Sequence, residues 1–88
     1  MFKKIMEYID DFLKNTPKDI YEFSVILEDA LVDDYDKMHE EQPKAAEILA
    51  DETPFICASA EPGMKPEEIE EFKRKLKIEY DKAMKAVV

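Results

Sequence analysis

The scarcity of glycine is the feature that most restricts how this chain can fold. Gly63 is the only glycine among 88 residues, whereas five prolines are spread along the sequence, at positions 17, 43, 54, 62 and 66. A β-sandwich or barrel of this length needs several glycine-bearing turns. Prolines instead suit helix corners and the first turn of a helix. The sequence therefore predicts an all-α fold.

Apolar residues recur at helical spacing along most of the chain, which places them on one face of each segment. In the first segment these residues are Phe2, Ile5, Met6, Ile9, Phe12 and Leu13. In the last segment they are Ile69, Phe72, Leu76, Tyr80, Ala83, Met84 and Val87. We predict a single helical domain over 1–88, built as a small bundle of about four helices at approximately 2–14, 17–41, 43–51 and 66–86.

Prolines mark the boundaries between these helices. Thr16 and Pro17 are typical of a helix start, because threonine caps free backbone N–H groups and proline suits the first helical position. Pro43 ends the second helix and can begin the third. The second helix has further apolar residues on its flanks: Tyr21, Val25 and Val32 on one side and Ile26 on the other. An apolar surface this wide is typical of a central helix, and a partner-binding ridge is the other interpretation.

The segment 55–60 is open to two interpretations. It is a continuous apolar run, and such a run can form either a buried strand or part of a helix. A strand needs a neighbour, and the only candidate, 23–27, lies within a helical pattern. Thr53 and Pro54 also repeat the start signal of Thr16 and Pro17. We therefore predict a short helical turn near 54–60.

The negative charge is concentrated in the middle of the chain. The net charge is −9, and residues 28–61 contain eleven acids against two lysines, so this segment accounts for all of it. One interpretation is a solvated face that keeps a small domain in solution, and the other is a docking surface for a basic partner. The candidate partner-binding residues are Asp29, Asp33, Asp34, Tyr35, Asp36, Glu40 and Glu41.

Two functions follow from these interpretations. The first is a small acidic protein-binding module that holds a basic protein through residues 28–61, in its most concrete form an inhibitor or immunity-type protein. The alternative is a structural helical homo-oligomer with no specific basic partner. Nucleic-acid binding is not expected, because neutralising phosphates requires clustered lysine and arginine. The lone cysteine and the absence of a long apolar run predict a cytoplasmic protein with no membrane association.

No motif specifies a catalytic chemistry. Asp36, His39 and Glu40 share one helix face, but three such ligands alone would bind a divalent ion weakly. Cys57 and His39 raise the idea of a thiol nucleophile with its base, yet no orienting group accompanies them, and a cysteine between apolar neighbours usually acts as a small buried hydrophobe. All acids are assigned to polar faces or helix starts. We expect no enzymatic activity, no catalytic residue, no cofactor and no metal.

Overall fold

Five α-helices make up the fold in a computed structural model that describes all 88 residues. They are α1 (Phe2–Lys14), α2 (Tyr21–Asp33), α3 (Tyr35–Glu41), α4 (Pro43–Ala58) and α5 (Pro66–Lys85). No residue lies in a strand, which confirms the all-α prediction and excludes the alternative strand at 55–60. No helix is at once long enough and apolar enough to cross a membrane.

Every helix contributes to one apolar core. Each helix has one large side chain with no solvent-exposed area: Ile9, Leu27, Met38, Leu49 and Leu76. Burying a side chain of this size stabilises a fold by about 1.5–3 kcal/mol. Phe12 of α1 stacks on Phe23 of α2 with ring centroids 3.8 Å apart, and Phe72 of α5 meets both rings edge-on. These aromatic contacts join three helices at one end of the core.

The start predicted for the second helix, near residue 17, is wrong. The Thr16 hydroxyl donates to the Phe12 carbonyl at 2.9 Å, so it satisfies the end of α1 and does not cap α2. The Asp19 carboxylate takes over the capping role, accepting a hydrogen bond from the Tyr21 N–H at 2.9 Å. The helix therefore begins at Tyr21, one turn later than predicted.

The prediction of one helix through to residue 41 is also wrong, because the chain leaves helical geometry at Asp34. This residue has φ −106° and ψ 7°, and it is the C-cap of α2 and the N-cap of α3. Aspartate is a weak helix former, and Asp33 and Asp36 bring like charges to neighbouring positions of a continuous helix. Beyond this break, Met38 of α3 remains buried in the core.

The predicted end of the third helix at residue 51 is also wrong, because the helix is longer than predicted. α4 continues through Pro54 to Ala58 and includes most of the turn predicted near 54–60. Pro54 lacks an N–H and cannot donate to the Ala50 carbonyl, a defect that costs about 3 kcal/mol in a helix interior. Burial of the flanking residues Thr53, Ile56 and Cys57 in the core offsets this cost.

α4 and α5 pack as an antiparallel helical hairpin. Their buried residues repeat with alternating spacings of three and four, which is the pattern of a knobs-into-holes seam. The seam residues are Ala46, Leu49, Thr53 and Ile56 on α4, and Phe72, Leu76, Glu79 and Ala83 on α5. The connecting loop turns at Gly63, whose φ of 75° suits glycine. At the far end, the Gln42 side chain accepts from the Val88 N–H at 2.9 Å and donates to its carbonyl at 3.2 Å.

Glu79 contradicts the expectation that all acids lie on polar faces. It is only 7% exposed and occupies a seam position, with its carboxylate 3.1 Å from the Lys82 ammonium. The predicted apolar face of this helix instead included Met84 and Val87, which are exposed in the structure. The packing of α5 on α4 therefore follows the seam spacing, even though this buries a carboxylate.

Thr53 gives a first prediction, because its hydroxyl is fully buried without a hydrogen-bond partner. Thr53→Val keeps the β-branched shape and removes the unsatisfied polar group. We expect the free energy of unfolding to rise by about 1 kcal/mol, which corresponds to a melting temperature about 4–8 °C higher. Urea and thermal unfolding monitored by circular dichroism measure the change. Thr53→Ser keeps the hydroxyl and is expected to be destabilising; a valine variant less stable than the wild type contradicts the assignment.

Candidate partner-binding surface

The predicted acidic residues lie on the outward sides of α2 and α3. On α2, Asp29 and Asp33 are exposed on the side opposite the buried Leu27 and Leu31. After the break at Asp34, the carboxylates of Asp36 and Glu40 are exposed on α3. Asp34 and Tyr35, at the junction of the helices, are half-buried. Both helices therefore expose carboxylates to solvent, on either side of their junction.

Ion pairs are rarer among these carboxylates than in the rest of the protein. Six of the eleven acids outside 28–61 have a basic group within 4.0 Å, and the five that have none are Asp11, Asp19, Glu22, Glu67 and Glu68. On α1 and α5, acids pair with basic groups of their own helix: Glu7 with Lys3, Asp10 with Lys14, Glu70 with Lys73, Glu71 with Arg74, Glu79 with Lys82 and Asp81 with Lys77. Among the eleven acids of 28–61, only Glu41 and Glu47 have a basic group within 4.0 Å. The negative potential of this region is therefore largely uncompensated by ion pairs.

Several of these acids also lie where a carboxylate destabilises its helix. The C-terminal end of an α-helix has a partial negative charge, which favours lysine or arginine and disfavours aspartate or glutamate. Asp33 is the last residue of α2, whose final turn contains no basic residue. Glu40 and Glu41 occupy the final turn of α3. Asp33 and Glu40, which have no ion pair, are therefore repelled by the negative ends of their own helices.

Glu41 is a candidate residue with a clear role in the fold. Its carboxylate accepts hydrogen bonds from the Met1 amine at 3.0 Å and from the Phe2 N–H at 3.1 Å. Free N–H groups at a helix start need such acceptors, so Glu41 caps α1 from another helix. The hydrogen bonds from the terminal amine, and then from Phe2, lower the pKa of Glu41 below its usual value of 4.5.

The lowered pKa of Glu41 predicts a pH-dependent contribution to stability. A carboxylate whose pKa is lower in the folded state stabilises it above the unfolded-state pKa, and this contribution is lost as the pH falls through the folded-state value. We expect Glu41→Gln to reduce stability at pH 7 and the difference from the wild type to shrink progressively below pH 4.5. Urea unfolding at several pH values measures this difference. A difference that stays constant down to pH 2.5 contradicts the role assigned to Glu41.

Tyr35 lies beside the only histidine of the protein. The Tyr35 and His39 rings are tilted, with centroids 5.6 Å apart, and the His39 Nε2 atom is 3.2 Å from a carboxylate oxygen of Glu47. Tyr35 also lines a shallow depression together with Ile48 and Asp51 of α4. These contacts join α3 to α4, and they involve an aromatic residue that lies between Asp34 and Asp36 in the sequence.

The structure does not bring together the residues considered for catalysis. His39 contacts Glu47, and Cys57 lies ten residues further along α4, which corresponds to about 15 Å. The Cys57 thiol is buried, and burial, with a smaller effect from the charge of Glu28, raises its pKa to about 12. His, Cys, Asp and Glu side chains form no group of three or more that could hold a metal ion.

A second surface feature was not predicted from the sequence. A groove of about 320 Å³ lies between α1 and α2, with Tyr8 and Ile26 on its walls, and it continues towards the residues that join the two helices. Tyr8 stacks on Phe23 with ring centroids 5.0 Å apart. Burial, and then the charge of Glu22, raises the pKa of Tyr8, and both residues line the groove. The only signal in the sequence was the position of Ile26, off the main apolar face of its helix.

Comparisons with protein-family models, with curated proteins and with solved structures found no match to this chain.

Proposed function

We propose that this protein is a small acidic binding module that holds a basic protein through the exposed carboxylates of α2 and α3. The observation that supports this proposal most directly is the contrast in ion pairing: most acids of α1 and α5 have a basic group within 4.0 Å, while Asp29, Asp33, Asp36 and Glu40 have none. An inhibitor or immunity-type role, in which the surface covers a positively charged active site, is the concrete form of the proposal.

The positions of these acids in their helices support a role in binding. Residues that break local rules of stability are expected mainly at functional sites, because selection tolerates the cost there. Asp33 and Glu40 lie at helix ends where a carboxylate is unfavourable, and no ion pair compensates them. A cationic partner would supply the missing counter-charges, and it would also associate faster because of the negative potential.

Two variants with equal charge change test this proposal. The surface variant is Asp29→Asn with Asp33→Asn and Glu40→Gln, and the control variant is Glu67→Gln with Glu70→Gln and Glu71→Gln on α5. Each variant and the wild type are used to capture proteins from a native lysate, and the captured protein is purified for titration. We expect the surface variant to bind it at least about tenfold more weakly than the control variant, with wild-type affinity falling as salt rises. Equal affinities for the two variants contradict the proposed surface.

A structural homo-oligomer is the second candidate, favoured by the exposed apolar flank of α2. Tyr21, Val25 and Val32 are 44%, 39% and 73% exposed and lie along one side of the helix. If this flank joins two copies, the mass in solution should exceed one chain at high protein concentration and return to one chain in a Val25→Ser, Val32→Ser variant. A mass of one chain for the wild type at all concentrations excludes this candidate.

A further inference from the structure

The groove between α1 and α2 combines an apolar floor with a negatively charged rim. Its floor includes the rings of Phe12 and Phe23, which are stacked on each other, and Tyr8 and Ile26 remain 36% and 47% exposed beside them. At about 320 Å³ the groove is at the lower limit of ligand pockets, so it suits one or two side chains better than a large cofactor.

The rim of the groove selects for positive charge. Asp11, Asp19 and Glu22 line it, and no lysine or arginine does. None of these three carboxylates has a basic group within 4.0 Å, although Asp11 accepts a hydrogen bond from the Asn15 amide and Asp19 caps α2. An apolar side chain flanked by lysine or arginine would fill the floor and pair with the rim, and a guanidinium could also stack on Tyr8.

The groove is continuous with the acidic surface along α2. Glu22, Ile26, Asp29 and Asp33 recur at helical spacing and are all exposed, so they share one side of the helix. We propose that this groove is the anchor site for a basic segment of the partner protein, receiving an apolar side chain that lies next to lysine or arginine. The inference rests on the proposed function, because the anchor and the charges belong to one partner.

Defined peptides test the anchor site without knowledge of the partner. One peptide of about fourteen residues, or four helical turns, contains only leucine and lysine with the leucines on one face, and a second contains only lysine. The groove variant is Ile26→Ser, and the matched control is Val25→Ser, a neighbouring exposed aliphatic residue that lies outside the groove. We expect the leucine–lysine peptide to bind the control variant at least tenfold more tightly than the groove variant. The lysine-only peptide should bind both variants equally.

Nuclear magnetic resonance on the wild-type protein gives a second readout that needs no substitution. The leucine–lysine peptide should shift the ring signals of Tyr8 and the methyl signals of Ile26, and the lysine-only peptide should leave the Ile26 methyls unchanged. Equal binding of the leucine–lysine peptide to both variants overturns the anchor site. Shifts of the Tyr8 and Ile26 signals with protein concentration alone also overturn it, because a second copy of the chain then occupies the groove.

The same peptides separate this inference from the proposed function. If the surface variant of α2 and α3 binds both peptides as tightly as the wild type does, the proposed function fails while the groove can still be detected through Ile26→Ser. If the surface variant loses affinity for both peptides but Ile26→Ser loses none, the acidic surface is supported and the anchor site is rejected.

Discussion

Iodoacetamide is expected to modify Cys57 about a thousandfold more slowly in the folded protein than in the urea-unfolded chain. The reactive species is the thiolate, and burial raises the pKa of the thiol from 9.0 to about 12. Near neutral pH, this difference corresponds to about a thousandfold lower fraction of thiolate. Mass spectrometry of the alkylated protein over time, at pH 7.5 and with matched reagent, measures both rates.

The rate of Cys57 alkylation also tests whether any thiol chemistry is open to this protein. The pKa shift and the buried position both slow the reaction in the folded state. A folded-state rate close to that of the unfolded chain contradicts the burial of the thiol and revives the idea of a cysteine nucleophile.

Replacing Leu49 with alanine is expected to have the largest effect on stability. Leu49 has no exposed area, and it lies in the seam of α4, the helix against which α2, α3 and α5 all pack. Leucine-to-alanine changes at such sites cost about 2–5 kcal/mol, which is a large part of the 5–15 kcal/mol that stabilises a typical domain. Urea unfolding of the variant measures the loss.

Val32→Ala is the control for the Leu49 substitution. Val32 is 73% exposed on α2, and alanine has a higher helix propensity than valine, so the change in stability should lie within about 0.5 kcal/mol of zero. A loss at Val32 as large as that at Leu49 means that the α2 flank is covered by another copy of the chain. A negligible loss at Leu49 contradicts the packing of the hairpin.

The bounds of a helix could be predicted from the sequence where the segment has one clear apolar face. The predicted first helix, 2–14, agrees with α1, and the last, 66–86, agrees with α5 within one residue. The bounds could not be predicted where packing of the core competes with the helix propensity of individual residues. Pro54 lies inside α4 because its flanking residues are buried, and Asp34 interrupts a pattern that looked continuous. Neither outcome can be read from the few residues around it.

The candidate surfaces could likewise be predicted from the sequence only in part. The excess of acids in 28–61 is a property of the sequence, but their lack of ion partners depends on which side chains the fold brings together. The groove was not predictable, because Tyr8 and Ile26 come from different helices and the angle between those helices is set by the core. Glu79 was missed because an ideal helical repeat assigns the buried positions of α5 to Tyr80 and Met84.

The most direct test of the whole account is the stability of the two charge variants in the absence of any partner. If the carboxylates of α2 and α3 serve binding and not folding, Asp29→Asn with Asp33→Asn and Glu40→Gln should leave the free energy of unfolding at low salt unchanged or higher, because it removes repulsion from helix dipoles. The α5 control, Glu67→Gln with Glu70→Gln and Glu71→Gln, should lower the free energy of unfolding, because this variant loses one first-turn acid and two ion pairs. A surface variant that is less stable than the α5 control would show that these carboxylates hold the fold together, and it would contradict the account.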